Sequence, residues 1–253
     1  MIEVLSIMAF HNPKRISYLE KSLGSFYQHY NQNQVRHIVM DGSPSLGEQK
    51  EIFESFGIEY YHRPISFRDR MAEGINHLKT DYFVFLPDDF QWIFEFPLED
   101  AVQQCREHQI DELKLTARGM SWYAQKNSEP TPWHNKGEVI SGEKLKEKHD
   151  LFISQRHFRR DFHEQFSLAC NLIRKDFMQW ILDRVPAAVS PGDLEKKAYL
   201  RLLLHRYKTA YYKMWIPAFH FIDKNVEGEN QWFKANDMLI EDNIKVYNQL
   251  FNT

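Results

Sequence analysis

From residue 3 onward the hydrophobic pattern switches regularly between two periods. "EVLSIMAF" (3–10) is an apolar run closed by "HNP" and reads as a strand. Residues 14–30 carry Ile16, Leu19, Leu23 and Phe26 at helical spacing. "VRHIVMD" (35–41) predicts a second strand, broken by "GSPS"; "GEQKEIFESF" predicts a short helix and "IEYYHR" a third strand. "SFRDRMAEGINHLK" (66–79) places Met71, Ile75 and Leu78 on one face of a helix, and "DYFVFLP" is a fourth strand. This alternation predicts a parallel sheet with crossover helices. Ligands of such sheets sit beyond the carboxyl ends of the strands, and "HNP", "MDGS" and "PDDF" all fall on that rim by topology alone.

The second half is less regular. "LEDAVQQCREH" predicts a helix, "DELKLTAR" a strand, and "FSLACNLI" (166–173) another strand. A helix around "KDFMQWILDRV", a loop "PAAVSPGD", a helix "LEKKAYLRLLLHRY", a strand "KTAYYKMW" and "IPAFHFID" follow. The last twenty residues predict a terminal helix. Residues 119–150 hold Trp122 and Trp133 and lack either period, as binding loops often do. There is no internal repeat, so the expectation is a single α/β domain with a mostly parallel central sheet flanked by helices.

Composition narrows the function classes. A chain of 253 residues can bury a substantial core. Its net charge of −3 gives no global field for nucleic acid, so none is expected as a partner. Aromatics reach 15%, more than enough to supply flat faces for sugars or bases as well as the core. Two cysteines make neither a disulfide framework nor a thiolate metal cluster. "MIEVLSIMAF" lacks the basic lead of a signal peptide, and no run is long enough to span a bilayer. The expectation is a cytoplasmic protein, with loose attachment to the inner face of the membrane left open.

The chemistry concentrates where strands end. "FVFLPDDF" (83–90) stops an oily strand at Pro87 and follows it at once with Asp88 and Asp89. Adjacent carboxylates repel and resist desolvation unless positive charge lies beside them. A hard divalent cation bridging phosphate oxygens needs only one or two protein carboxylates. In extended backbone the two side chains would face opposite ways and divide their roles. Asp41 ends the second strand, where it could accept from a base or ribose. Arg68 and Arg70 open the third helix, and either planar fork could meet a phosphate. His220, in "PAFHFID", is a candidate ligand for an Mn²⁺-like ion. Asp193 and Glu195 open a later helix; Asp193 is a natural N-cap, Glu195 a first-turn acid, and either could serve as general base.

The succession "FHNPKR", "HIVMDGS", "RDRMAEGINHLKTDYFVFLPDDF" and "DLEKKAYLRLLLHRYKTAYYKMWIPAFHF" resembles the family 2 glycosyltransferases of the GT-A fold. It covers residues 2–94 well and 166–222 loosely. The resemblance implies nucleotide binding by His11, Asn12, Asp41, Arg68, Arg70 and Asp88. It implies a Mn²⁺ or Mg²⁺ site at Asp89 with His220, and a catalytic base at Asp193 or Glu195. It further implies a catalytic domain over 1–223, with a nucleotide-sugar half (1–94) and an acceptor half (95–223), then an extension over 224–253. Trp122, Tyr123 and Trp133 would then meet a glycan or lipid-linked glycan acceptor. The sequence departs from the family pattern at Pro87, at "DLE" and at His11-Asn12. A glycoside hydrolase would need neither a nucleoside-type acid nor a metal. A sugar nucleotidyltransferase would carry glycines in the loop after its first strand, and "AFHNPKR" has none. The alternatives are a nucleotide- or glycan-binding protein of the same fold, without turnover, or such a nucleotidyltransferase.

Overall fold

The structure, a computed structural model, describes residues 1–10, 14–92, 95–115, 151–155, 166–202, 207–212 and 218–220. Seven elements of the first half match the periodicity closely: β1 (Ile2–Met8), α1 (Lys14–Tyr27), β2 (Val35–Asp41), α2 (Glu48–Ser55), β3 (Glu59–His62), α3 (Phe67–His77) and β4 (Tyr82–Phe85). Then come β5 (Phe90–Trp92), α4 (Leu98–His108), β6 (Glu112–Lys114), β7 (Leu151–Gln155) and β8 (Asn171–Arg174). The last described elements are α5 (Lys175–Arg184), α6 (Pro191–Leu202), β9 (Lys208–Tyr212) and β10 (Ala218–His220).

The described strands form an eight-stranded sheet in the order β3-β2-β1-β4-β8-β6-β9-β7 and a two-stranded sheet of β5 with β10. The first four strands of the large sheet are mutually parallel. In the rest, β8 and β7 run against their neighbours while β6 and β9 are parallel. The order reverses at β1, which has β2 on one side and β4 on the other. That switch leaves a crevice beyond the carboxyl ends of β1 and β4.

Period-two alternation assigns each strand residue to a face. Val4, Val35, Tyr82 and Val84 pack with Phe26 of α1 and Leu98, Ala101 and Cys105 of α4. Leu5, Ile38, Met40, Phe83 and Phe85 pack the other way, against Met71 and Ile75 of α3, Ile181 of α5 and Leu194 of α6. Gly74 lets α3 lie close to the sheet: a Cβ there would come within 2.7 Å of Leu5 Cδ1.

One buried polar chain runs under the crevice. The Ser6 hydroxyl donates to the Leu86 carbonyl at 2.5 Å and lies 2.8 Å from His37 Nε2; the Tyr27 hydroxyl lies 3.1 Å from Nδ1. With Ser6 donating to Leu86, Nε2–H must be the donor to Ser6, leaving Nδ1 to accept from Tyr27. Burial pushes the His37 pKa down to about 3. The unfolded chain therefore takes up this proton near pH 6.5 and the folded chain does not. Stability is expected to fall as pH drops below about 6.5, by about 1.4 kcal/mol per pH unit from this group. Urea midpoints between pH 7.5 and 4.5 check it, and His37→Gln should flatten the slope.

Three sequence expectations are corrected. The segment 166–170 is not strand, because two of its N–H groups go to carboxylates: Ser167 donates to Glu112 at 3.2 Å and Leu168 to Glu195 at 2.5 Å. β7 was not anticipated: "LFISQ" is three apolar residues followed by two polar ones and shows no alternation. α6 begins at Pro191, not after Asp193, because Ser190 caps it: its Oγ accepts from Asp193 N–H at 3.2 Å. The expected terminal helix and the loop over 119–150 lie outside the described residues.

Candidate active site

The crevice holds a cavity of about 390 Å³. Ile7, Met8 and Ala9 from the end of β1 and Phe85 to Phe90 from the end of β4, Leu86 excepted, form one part of its wall. Arg15, Phe67, Arg70, Leu168, Ala169, Val189 to Gly192 and Glu195 complete the lining.

Asp88 and Asp89 sit in a turn between β4 and β5. The expectation that their side chains diverge is therefore corrected: Pro87 ends the extended backbone and the turn brings both acids to one guanidinium. Arg15 Nε donates to Asp88 Oδ2 at 2.9 Å and Nη2 to Oδ1 at 2.7 Å, a fork-to-fork pair. The same Nη2 reaches Asp89 Oδ2 at 3.3 Å. Asp88 is 8% exposed. Burial, and then the Asp89 charge, push its pKa up to about 6 against the pull of Arg15. Arg15 escaped the sequence reading, although it stands in the quoted "FHNPKR". On a helix's first turn it looked like a solvated polar residue, and the demand of two adjacent acids for a countercharge was the signal that pointed to it.

Arg70 forms a second cationic point. It is 6% exposed, donates through Nη1 to the Ile65 carbonyl, and its Nε is buried with no hydrogen-bond partner. Burial lowers its pKa and the charge of Asp41 opposes that. The guanidinium rests where a side chain of residue 42 would be: a Cβ on Gly42 would stand 1.8 Å from Nη1. Asp41, just before, is fully buried. It accepts from Ser43 N–H at 2.8 Å, Ser43 Oγ at 2.5 Å, Tyr60 Oη at 2.6 Å and Gln49 Nε2 at 3.4 Å. Arg68 points elsewhere, donating to the Leu182 and Val185 carbonyls at the end of α5 and to Asp69.

The two candidate bases separate cleanly. Glu195 lines the cavity, held by the Leu168 amide. Asp193 does not line it; it accepts from Val189 N–H at 3.1 Å and pairs with Lys197 at 2.9 Å. The Lys197 ammonium holds its carboxyl below the usual carboxylate range, which weakens it as a base.

His220 is described by its backbone, and its Cα pairs with Phe90, the residue after Asp89. Among the described residues no group of three His, Cys, Asp or Glu side chains forms a metal cluster. The donors present, two carboxylates on one turn, suit a hard cation that takes its other oxygens from a phosphate. Charge points the same way: the lining residues include three carboxylates, Asp88, Asp89 and Glu195, against the guanidinium groups of Arg15 and Arg70. A cation entering with an anionic ligand would offset this excess of negative charge. His11, Asn12, Trp122, Tyr123 and Trp133 lie outside the described residues. No helix among the described residues is long and apolar enough to cross a membrane.

No protein-family model and no curated protein matches the sequence. Solved structures do match the fold. Residues 1–349 of S. aureus TarS in complex with UDP superpose with a TM-score of 0.55 at 12% identity, over 96% of this chain and 65% of that one. The same fragment in complex with UDP-GlcNAc gives 0.54 at 11% identity, over 100% of this chain and 72% of that one. The mannosyltransferase PcManGT from Pyrobaculum calidifontis, in complex with GDP-Man and Mn²⁺, gives 0.51 at 12% identity, over 96% and 63%. This chain thus spans less than two thirds of the first and third of those chains. At such identity the likeness is one of fold, and the GT-A-like α/β fold expected above is the fold of this chain.

Proposed function

We propose that the chain is a metal-dependent, inverting glycosyltransferase. It moves a sugar from a nucleoside-diphosphate donor, UDP-sugar by preference and hexosyl in type, to a hydroxyl of a glycan or lipid-linked glycan. The observation that carries this reading is the cavity's lining: an acid pair just beyond β4 and two guanidinium groups, with a further carboxylate, Glu195, contributed by a different element, α6.

In this reading Asp89 and Asp88 hold Mn²⁺ or Mg²⁺, with His220 beside them in register. A cation bound there would neutralise charge building on the departing diphosphate. Arg70 offers its unpartnered Nε to the diphosphate, and Asp41 exchanges an internal partner for the nucleoside. Glu195 accepts the proton of the acceptor hydroxyl as its oxygen bonds to the anomeric carbon. The bond from that carbon to the diphosphate oxygen breaks on the opposite side, so the centre inverts. His11 and Asn12 belong to the nucleotide half (1–94), and Trp122, Tyr123 and Trp133 to the acceptor half of the 1–223 domain. We place the reaction in the cytoplasm, at the inner membrane face where the acceptor is lipid-linked, as in polysaccharide biosynthesis.

Thermal melting with UDP, GDP and CDP, each with and without Mn²⁺, tests the donor side. At a hundred times Kd, one nucleotide should raise stability by about 2.7 kcal/mol, a shift of roughly 5–10 °C, and only with the metal. No shift with any of the three would defeat the proposal.

A further inference from the structure

The proposed site already contains a cation of its own. Arg15 holds Asp88 through two short bonds and touches Asp89 with the same nitrogen, so it occupies the oxygens a divalent ion would use. Its side chain is nevertheless 42% exposed, against 11% for Asp88, so it lies at the cavity wall with room to move, where Asp88 does not. A second observation marks the same cavity as built for an anion: Arg70, 6% exposed, keeps a buried Nε with no partner.

We infer that Arg15 is an exchangeable counter-ion. It offsets the charge of the acid pair while no donor is bound, keeps a free divalent ion out, and transfers to the donor's diphosphate when metal and nucleotide arrive together. This rests on the glycosyltransferase reading and adds a positioning residue and an order of binding to it.

The physics is a competition for the same lone pairs. Without a cation the paired carboxylates are costly: Asp88 is buried beside Asp89, and the water that reaches Asp89 screens its neighbour poorly. The Arg15 fork satisfies both in a planar geometry that a lysine cannot copy. A lone divalent ion must displace it and would leave a guanidinium beside a metal, two like charges close together. The metal carried by a diphosphate brings its own remedy, because the phosphate oxygens give the displaced fork a new bidentate partner. Metal and nucleotide should therefore bind cooperatively in the wild type, each weak alone.

The test measures Mn²⁺ binding by the loss of its free electron-paramagnetic signal, with and without UDP, GDP or CDP, for wild type, Arg15→Ala and Arg15→Lys. Arg15→Ala is expected to bind free Mn²⁺ about tenfold more tightly than wild type and nucleotide with Mn²⁺ about tenfold less tightly, so that cooperativity is lost. Arg15→Lys should lie between, since it keeps charge without the fork, and it supplies the answer if the alanine variant melts early. Equal or weaker free-Mn²⁺ binding in both variants overturns the exchange. So does nucleotide binding that survives chelation in the wild type and is lost in Arg15→Ala, because Arg15 would then be the permanent cation. Failure of all three nucleotides to bind the wild type strikes the glycosyltransferase reading instead, and the free-Mn²⁺ comparison still judges Arg15.

Discussion

Glu195→Gln is expected to lower turnover about 10²–10⁴-fold while leaving metal-dependent nucleotide binding within experimental error. The substitution keeps an oxygen to accept from the Leu168 amide, so the segment 166–170 stays in place and the cavity keeps its shape. It removes the one thing a base needs, a lone pair that becomes an O–H. Asp193→Asn is the matched control. That carboxylate is tied to Val189 and Lys197 outside the cavity, so its loss should loosen the start of α6 only slightly and spare the chemistry. Sugar-transfer or donor-hydrolysis rates under saturating donor decide it. A slow Asp193→Asn and a normal Glu195→Gln would reverse the assignment.

The second large effect belongs to the acid pair. Asp89→Asn and Asp88→Asn should each reduce kcat/KM about a thousandfold, or about 4 kcal/mol, and abolish the Mn²⁺-dependent part of the melting shift. The fold should not suffer in parallel. Asp88 is ionised at neutral pH only against burial and against Asp89, which together push its pKa to about 6. Asparagine relieves that conflict, and Arg15, still partly in water, can solvate the face it loses. Asp88→Asn without ligand is thus expected to melt at or above the wild-type temperature, as sites held strained for function often do. A variant that unfolds at room temperature would show that the pair is structural.

The first half of this fold could be read residue by residue because its order is local. Its first three strands are each followed at once by a helix, and Leu19, Leu23 and Phe26 announce their face by spacing alone. The second half is assembled by long-range pairing. β8 sits between β4 and β6, and β9 between β6 and β7, and no period within "DELKLTAR" or "FSLACNLI" encodes such neighbours. The site was legible in the same proportion. The acids at strand exits stood out because charge at the end of an apolar run is anomalous. Arg15 did not, since an arginine on a helix's first turn is ordinary until its partner is known. Asp193 and Glu195 are two residues apart on a helix, about 200° around its axis, so one of them must face away from the cavity. Which one does so depends on where the helix starts, and the Ser190-Pro191 pair was the available clue.

The place of β4 between β1 and a strand made much later has a consequence for synthesis. Once residues 82–85 leave the ribosome and join β1, the opposite rim of Tyr-Phe-Val-Phe has no partner until Asn171–Arg174 emerges. At ordinary elongation rates that interval is on the order of ten seconds. During it the nascent chain offers bare amides flanked by aromatics, the kind of surface on which a neighbouring copy can template itself. Shielding of that interval is therefore expected to raise the productive yield.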